Sequence, residues 1–448
     1  MVLDGRYIEG TSFSDGGMNL RMISNIDMQE TTICPECEET IPVHQGFITW
    51  CDKCEWNVKA DHKKGNPKNA FERTYLQVGE KMGSDLLQGL IQKGSLRTSF
   101  SWLRLFTYLV ASVIHLFSLF LFISGLLLVV FYYQEIIILL LGCLLLVFSW
   151  AARPRFHQLR EKPLTRDAFP ALYRVMDDMA KVMGSEKVHG VVINEQFNAS
   201  YREIGLRRKK IITLGLPLLE ILDEKELSAL IAHELAHGIN GDQNRSYWVG
   251  SAFYTLTYWY TVIRPDQLWD PGYRVLAFFM FFANLVLLAL SQLIHFLLYI
   301  LCHLFWQDSQ RAEYLADQLV TQTASPKATI SLLNKLHLDG MFEFTIFKVI
   351  NTKRTGHFFE DFQEKIRVLP EREMERLHRA SVKAGARLDA SHPPTANRVS
   401  FISSLTYEEP LYKMDKETFE QLNAELDELK PSMEQKLIDF YKRYVLLQ

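Results

Sequence analysis

The chain has 448 residues, enough for two or three domains with hydrophobic cores of their own. Its formal net charge is −3 and no polybasic segment stands out, so a nucleic-acid-binding protein is not expected. The first 24 residues carry acidic side chains and lack an apolar core, which predicts that no cleavable signal peptide is present.

The N-terminal segment contains two Cys-x-x-Cys pairs with 13 residues between them. This spacing is typical of a structural zinc ribbon, in which two knuckles supply four thiolates, and it favours a reducing compartment. The predicted ligands are Cys34, Cys37, Cys51 and Cys54. A redox-active Cys-x-x-Cys is the alternative. We predict a zinc ribbon over residues 1–64 with Trp50 in its core, an unidentified protein partner for it, and a helical linker over residues 65–104.

Two long uncharged segments follow the linker. No Asp, Glu, Lys or Arg occurs between Arg104 and Glu135, and 17 further uncharged residues extend from Ile136 to Ala152. Because a membrane-spanning helix needs about 20 apolar residues, they predict a transmembrane hairpin over residues 105–152. A buried soluble hairpin is the alternative, but the sequence IIILLLGCLLLVF is apolar on every face.

Residues 153–245 are predicted to form the first part of a soluble domain. An amphipathic helix (FPALYRVMDDMAKVMG) precedes three short strand-like segments (VHGVVI, FNASY and KKIITLG) and the helix DEKELSALIAHELAHGING. In that helix, His233 and His237 lie one turn apart, which suits two adjacent positions of a tetrahedral zinc ion. Glu234 can reach water at the metal without being a ligand. Two histidines without a metal are the alternative.

A second, less uniform pair of uncharged segments predicts another transmembrane hairpin over residues 246–307. Its first segment is rich in Tyr, Trp and Thr, so a helix lying in the membrane interface is the alternative there. Lys and Arg flank the first hairpin but are absent from its turn, which predicts that both soluble ends face the cytoplasm. His115, inside the first hairpin, is expected to bond to a neighbouring hydroxyl rather than to join the site.

Beyond the second hairpin, Glu313 and Asp317 lie one helical turn apart in SQRAEYLADQLV. Since two crossings separate this segment from the histidine helix, Glu313 can return to the same side of the membrane and act as the third zinc ligand. Asp317 can accept a hydrogen bond from a ligand imidazole and so fix its tautomer. Residues 308–448 are predicted to hold the second part of the catalytic domain and the C-terminal helices.

The order His-Glu-x-x-His, membrane hairpin, Glu-x-x-x-Asp resembles the HtpX-like integral membrane zinc metalloproteases, relatives of the type-1 CAAX prenyl proteases. The resemblance covers roughly residues 105 to 405, and the zinc ribbon is not part of the usual HtpX plan. It implies a mainly α-helical integral membrane protein with four transmembrane helices and a zincin-like α+β domain with a small edge sheet. It also implies a catalytic zinc ion held by His233, His237 and Glu313, with Glu234 as the catalytic base.

Two further segments resemble features of the same family. FNAS implies that Asn198 and Ala199 bind an extended substrate backbone by strand addition. SHPPTANR implies that His392 and Arg398 lie near the zinc, as an extra ligand or as donors to the oxyanion, and Tyr314 is another candidate donor. A proline-rich turn before a helix is the alternative for this segment.

The sequence therefore predicts a zinc endopeptidase with one catalytic and one structural zinc ion. It would cleave peptides of membrane or misfolded proteins at the cytoplasmic face of a bacterial cytoplasmic membrane, as in protein quality control. The alternative is a membrane-anchored zinc-ribbon adaptor with a silent metal centre. A zinc transporter is disfavoured, because the predicted spans contain no Asp, Glu, Lys or Arg.

Overall fold

A computed structural model of the chain describes residues 30–59, 70–93, 102–154, 161–205, 207–240, 242–264, 274–384, 392–406 and 409–446. This part of the chain is mainly helical and contains two small β-sheets, which confirms the predicted mixture of helices with a small sheet. Three groups of elements can be distinguished: an N-terminal ribbon with one helix, a set of long apolar helices, and a helical domain built on the second sheet.

The N-terminal part consists of a two-stranded sheet followed by one helix. β1 (Glu30–Ile33) pairs antiparallel with β2 (Thr40–Val43), and α1 covers Ala70–Lys93. Strands this short cannot bury a core of their own, and the apolar centre is formed by the cysteines around Ile41 and Trp56. The stability of this small fold therefore depends strongly on what holds the four cysteines together.

Two apolar helices form a tight pair after α1. They are α2 (Trp102–Phe131) and α3 (Ile136–Ala151). A Cβ added at Gly125 would lie 2.9 Å from the carbonyl O of Gly142, so the backbones approach too closely for a larger residue. The hydroxyls of Ser118 and Ser149 each donate to the other residue's backbone carbonyl, at 3.3 and 3.0 Å. Small residues and interhelical hydrogen bonds of this kind are typical of helix pairs in membranes.

The helical domain built on the second sheet begins with one helix, three strands and the histidine-bearing helix. These elements are α4 (Pro170–Met183), β3 (Gly190–Asn194), β4 (Ala199–Ile204), β5 (Lys209–Gly215), the short α5 (Leu216–Leu219) and α6 (Glu224–Ile239). β5 is the central strand, parallel to β3 and antiparallel to β4. Within the described residues β4 is thus an edge strand, and α6 packs against it.

Two helices connect α6 to the C-terminal half of the chain. They are α7 (Asp242–Ile263) and α8 (Arg274–Thr323). α8 is continuous for 50 residues, or about 75 Å at a rise of 1.5 Å per residue. The predicted boundary at residue 307, between the second hairpin and the second catalytic part, therefore lies inside this helix. One rigid element carries both an apolar segment and the Glu313 region.

α7 lies between α2 and α8 and shares a hydrophobic cluster with both. Val249, Leu256 and Leu298 are among the buried residues of this cluster. The hydroxyl of Ser251 in α7 lies 2.9 Å from Nε2 of His115 in α2. The expectation that His115 bonds to a neighbouring hydroxyl is confirmed.

Two of these helices contain segments long and apolar enough to cross a membrane, Arg104–Phe131 in α2 and Met280–Leu301 in α8. Only 22% and 17% of their most apolar windows is buried, so the large apolar side chains face outwards instead of forming a soluble core. This exposure favours a membrane location. α3 has only 16 residues and α7 is more polar. The prediction of four transmembrane helices is thus supported for two helices and stays a prediction for the others.

The C-terminal half is entirely helical in its described residues. After α8 come α9 (Pro326–Lys335), a 3-10 turn (Leu336–Leu338), α10 (Asp339–Thr352), α11 (Phe358–Arg367), α12 (Glu371–Ala384), α13 (Thr395–Ser403), α14 (Lys416–Asp427) and α15 (Lys430–Leu446). Most of these helices pack with α4, α6 and the sheet around the main hydrophobic core. The carboxylate of Glu425 in α14 accepts hydrogen bonds from the backbone N–H groups of Ala171 and Leu172, at 2.6 and 3.0 Å, in the first turn of α4. The two halves of the domain therefore form one packed body.

Candidate metal centre

The histidine-bearing helix α6 has a well-defined beginning. Asp223 accepts hydrogen bonds from the backbone N–H groups of Lys225 and Glu226, and the Glu226 carboxylate accepts one from the backbone N–H of Asp223. This capping box fixes the residue at which the helix starts. The rings of His233 and His237 follow on one side of the helix, with centroids 4.8 Å apart.

The residue after the second histidine brings α6 close to the edge strand. A Cβ added at Gly238 would lie 2.9 Å from the ring of Tyr201 in β4, so no larger side chain fits between helix and strand without a shift. Tyr201 itself is buried. The small residue next to His237 therefore allows β4 to pass directly beside the histidines.

α8 supplies the third member of the cluster. Nε2 of His233 lies 3.4 Å from Oε2 of Glu313, and Nε2 of His237 lies 3.6 Å from Oε1 of the same carboxylate. One ligand atom from each of the three residues lies within 4.8 Å of the other two. The structure therefore brings together the three predicted ligands His233, His237 and Glu313.

The cluster fits a zinc ion in its spacing and in its chemistry. Ligand atoms about 2.1 Å from a tetrahedral zinc lie about 3.4 Å from one another, close to the two separations observed here. Oε2 of Glu313 is buried and accepts no hydrogen bond of good geometry in the described residues, although Nη1 of Arg398 and Nε2 of His233 lie 3.3 and 3.4 Å away. An unsatisfied buried carboxylate oxygen is costly, and a cation held between the two imidazoles and the carboxylate would satisfy it.

Asp317 and Arg398 form a buried layer next to these ligands. Nδ1 of His233 lies 3.5 Å from Oδ1 of Asp317, on the ring nitrogen that does not face Glu313. Nε and Nη2 of Arg398 donate to the two oxygens of Asp317, at 2.8 and 2.6 Å, and Nη1 lies 3.3 Å from Oε2 of Glu313. Asp317 therefore lies next to the ring of His233, and its role in orienting that ring stays a prediction. No local pattern joins Asp317 to Arg398, 81 positions away, and their pairing was not predicted.

The charges around the cluster favour a cation. Burial lowers the pKa of His233, but hydrogen bonds to Asp317 and Glu313 raise it more, to about 9. Burial raises the pKa of Glu313, whereas the charges of His392 and Arg398 lower it well below its usual range. These neighbours favour a positive charge on His233 and a negative charge on Glu313. A bound metal ion would compete with a proton for the imidazole nitrogen.

His392 lies at the solvent-exposed rim of the cluster. Its Nδ1 is 2.9 Å from Oε1 of Glu313, and about half of its side chain, 53%, remains exposed. Tyr314, by contrast, is 1% exposed and packs edge-on against Phe401. Of the three candidate donors, His392, Arg398 and Tyr314, His392 is the one whose side chain is largely exposed to solvent.

Glu234 follows His233 on α6 and is also buried, at 5% exposure. It is not a member of the three-residue cluster that the described residues form. The role of Glu234 as the group that activates water beside the metal stays a prediction.

Asn198 and Ala199 lie at the start of the edge strand. Ala199 begins β4 and is paired with Leu214 of β5. The carbonyl O of Asn198 accepts a hydrogen bond from the backbone N–H of Gly215, at 2.8 Å, and its side-chain oxygen accepts one from the N–H of Ala199. Asn198 thus fixes how the strand begins. The side of β4 away from β5 carries no further strand among the described residues.

The four predicted cysteine ligands form the second cluster. The Sγ atoms of Cys34 and Cys54 lie 3.6 Å apart, and those of Cys37 and Cys51 lie 3.5 Å apart. A disulfide would need about 2.05 Å, whereas thiolates on a tetrahedral zinc lie about 3.8 Å apart. The residue after each pair, Glu38 and Glu55, has a φ of 59°, so the two knuckles have the same left-handed turn. The geometry fits a structural metal and disfavours the redox alternative.

Comparison with known proteins agrees with this geometry. The model of peptidase family M48 matches residues 167–406, more than half of the chain, while no curated protein gives a match. The matched range contains α6, α7, α8 and α13, and it excludes the ribbon, α1 and the first apolar hairpin. The chain therefore belongs to peptidase family M48, which includes HtpX and the CAAX protease relatives and implies zinc metallopeptidase activity.

Proposed function

We propose that the protein is a zinc-dependent membrane endopeptidase that cleaves membrane or misfolded proteins at the cytoplasmic face of the membrane. The observation that carries the proposal is the convergence of His233, His237 and Glu313 beside Glu234 and next to an open strand edge. The bacterial cytoplasmic membrane is the proposed location, and the orientation comes from the positive residues that flank the first hairpin.

The residues around the cluster have separate roles in this proposal. A bound zinc ion supplies Lewis acidity, which polarises the scissile carbonyl and lowers the pKa of water at the site. Glu234 accepts the proton from the attacking water and returns it to the leaving amine. His233 is held in the tautomer that presents Nε2 to the cluster, because Asp317 faces its Nδ1.

His392 and Arg398 differ in what they can contact. The guanidinium of Arg398 donates to Asp317 and lies next to Glu313, and the residue is only 6% exposed. Its proposed role is therefore to position these two carboxylates. His392 is half-exposed and borders Glu313. We assign to His392 the stabilisation of the oxyanion that forms on the scissile carbonyl.

The substrate is proposed to bind as an added strand. β4 is an edge strand of the sheet in the described residues, and Gly238 lets this strand lie beside the histidine helix. An extended peptide paired with β4 from Ala199 onwards would pass the cluster with its backbone carbonyls in a fixed register. Strand pairing uses main-chain groups, so it suits a peptidase that acts on many unfolded sequences.

The helix that carries Glu313 connects the site to the membrane. The apolar segment of α8 ends at Leu301, and the helix continues without a break to Glu313, about 18 Å further along its axis. The cluster is therefore close to the surface of the proposed bilayer. Substrates that are themselves embedded in the membrane would be within reach.

Cleavage of an unfolded membrane protein by the purified, zinc-loaded chain in detergent tests the proposal. The wild type and Glu224→Gln, a control in the first turn of the same helix, should cleave, and a chelator should stop the reaction. Glu234→Gln should keep its zinc and lose cleavage. Equal rates for Glu234→Gln and the wild type would disprove the assignment of the base. A zinc-loaded wild type that cleaves no peptide would favour the adaptor instead.

A further inference from the structure

The zinc ribbon is docked on the catalytic domain through one aromatic side chain. Trp50 is 1% exposed and packs with Val58 of the ribbon and Ala380 of α12. The guanidinium groups of Arg372 and Arg379, also on α12, lie 4.5 and 5.1 Å from the centre of the Trp50 ring. An indole held by two arginines is a typical anchor of a specific interface.

Charged groups around Trp50 complement one another across this contact. Arg372 donates to the backbone carbonyl of Trp50 at 2.7 Å and lies 3.2 Å from Oδ1 of Asp52. Lys383 forms an ion pair with Glu55 at 3.0 Å. The ribbon thus presents acidic groups to a basic face of α12, and this complementarity fixes the register of the contact.

The helix that follows the ribbon makes a second contact with the catalytic domain. Leu90 of α1 is buried in a cluster with Tyr314 and Phe401. Tyr314 directly follows Glu313 on α8, and Phe401 lies about one turn after Arg398 on α13. α1 therefore packs against α8, which carries Glu313 and Asp317, and against α13, which carries Arg398.

The contact of the ribbon and the contact of α1 both involve helices that lie next to the metal cluster. α12 packs against α13, and α13 carries Arg398. His392 lies in the sequence between these two helices, and its ring reaches Glu313. The ribbon therefore contacts α12, and α1 contacts α13, the helix that carries Arg398 and on which α12 packs.

We propose that residues 30–59 and 70–93, here termed the N-terminal module, hold His392 and Arg398 in position over the metal cluster. Trp50 and Leu90 are positioning residues, which act through α12 and α13 and do not touch the substrate. The module lies outside the range matched by the family. The expected effect on catalysis rests on the proposed peptidase function. The expected effect on the position of His392 and Arg398 does not.

Breaking the contact at Trp50 in the full-length, zinc-loaded chain in detergent tests this inference. Trp50→Ala should increase amide hydrogen exchange in α13 severalfold and lower kcat about tenfold or more, with a smaller change in KM. Zinc content should stay at the wild-type value. Arg367→Glu reverses the charge of an exposed arginine on α11 and serves as the control that changes neither quantity.

A charge swap covers the case in which Trp50→Ala does not fold. Glu55→Lys and Lys383→Glu should each raise exchange in α13, and the double variant should restore it towards the wild-type value. Wild-type exchange in α13 for both single variants, or for a folded Trp50→Ala, would overturn the proposal. Because exchange is measured without substrate, a wild type that fails to cleave would disprove the proposed function and leave this test intact.

Discussion

The two metal clusters of this protein are built in opposite ways. The four cysteines come from one short segment, residues 34–54, in which two knuckles of the same shape face each other. The ligands His237 and Glu313 come from two helices, with α7 and most of α8 between them. The first cluster depends on local turns, whereas the second depends on how α6 and α8 pack. Damage to one should therefore leave the metal of the other in place.

The largest effect is expected from Glu313→Ala. Removing the carboxylate deletes the one ligand that α8 supplies, so catalytic zinc should be lost and peptide cleavage should fall by more than about a thousandfold. The ribbon should keep its zinc. Metal analysis should show about one zinc ion fewer per chain than in the wild type. Unchanged zinc content would remove Glu313 from the ligands.

A smaller effect is expected from Asp317→Asn. This change keeps the shape of the side chain but removes the charge that faces Nδ1 of His233 and pairs with Arg398. Affinity for catalytic zinc should fall about 10- to 100-fold, as is usual when a group that orients a ligand is replaced. Competition with a zinc chelator measures the change, and wild-type affinity would show that Asp317 does not orient the histidine.

The reciprocal test is Cys37→Ser in the ribbon. Loss of one thiolate should release the ribbon zinc while the catalytic zinc remains, because no residue of 34–54 belongs to the catalytic cluster. If the N-terminal module positions His392 and Arg398, cleavage should also fall about tenfold. Loss of both zinc ions would show that the two sites are not independent.

The smallest effect is expected from Lys53→Gln. Lys53 pairs with Glu39 within the ribbon at 2.7 Å, but both side chains are largely exposed. Exposed ion pairs contribute little to stability, and this one lies away from the α12 contact. Zinc content and Tm should equal those of the wild type. A marked loss of either would mean that the ribbon depends on surface charges as well as on its cysteines.

Several features follow from local sequence patterns. The spacing of the cysteine pairs predicts a cluster that the structure contains, and HELAH places two imidazoles one turn apart on a helix. The uncharged segments predict the long apolar helices in α2 and α8. Each of these features depends on residues close together in the chain.

Other features depend on contacts between distant segments. The bidentate pairing of Arg398 with Asp317 was not predicted, although both residues were assigned to the site. The docking of Trp50 on α12 was not predicted either. The acidic ribbon and the basic helix EREMERLHRASVKA could have suggested it, but charge alone does not select one surface among many.

The sequence by itself determined which side chains can bind metal and which helices are apolar enough for a membrane, because ligand spacing and hydropathy are local properties. Only the tertiary structure decided that Glu313 reaches the histidines and that Arg398 joins both carboxylates. It also decided that the ribbon and α1 pack against the helices beside the site. These contacts join elements that are far apart in the chain. No repeating pattern in the sequence predicts such contacts.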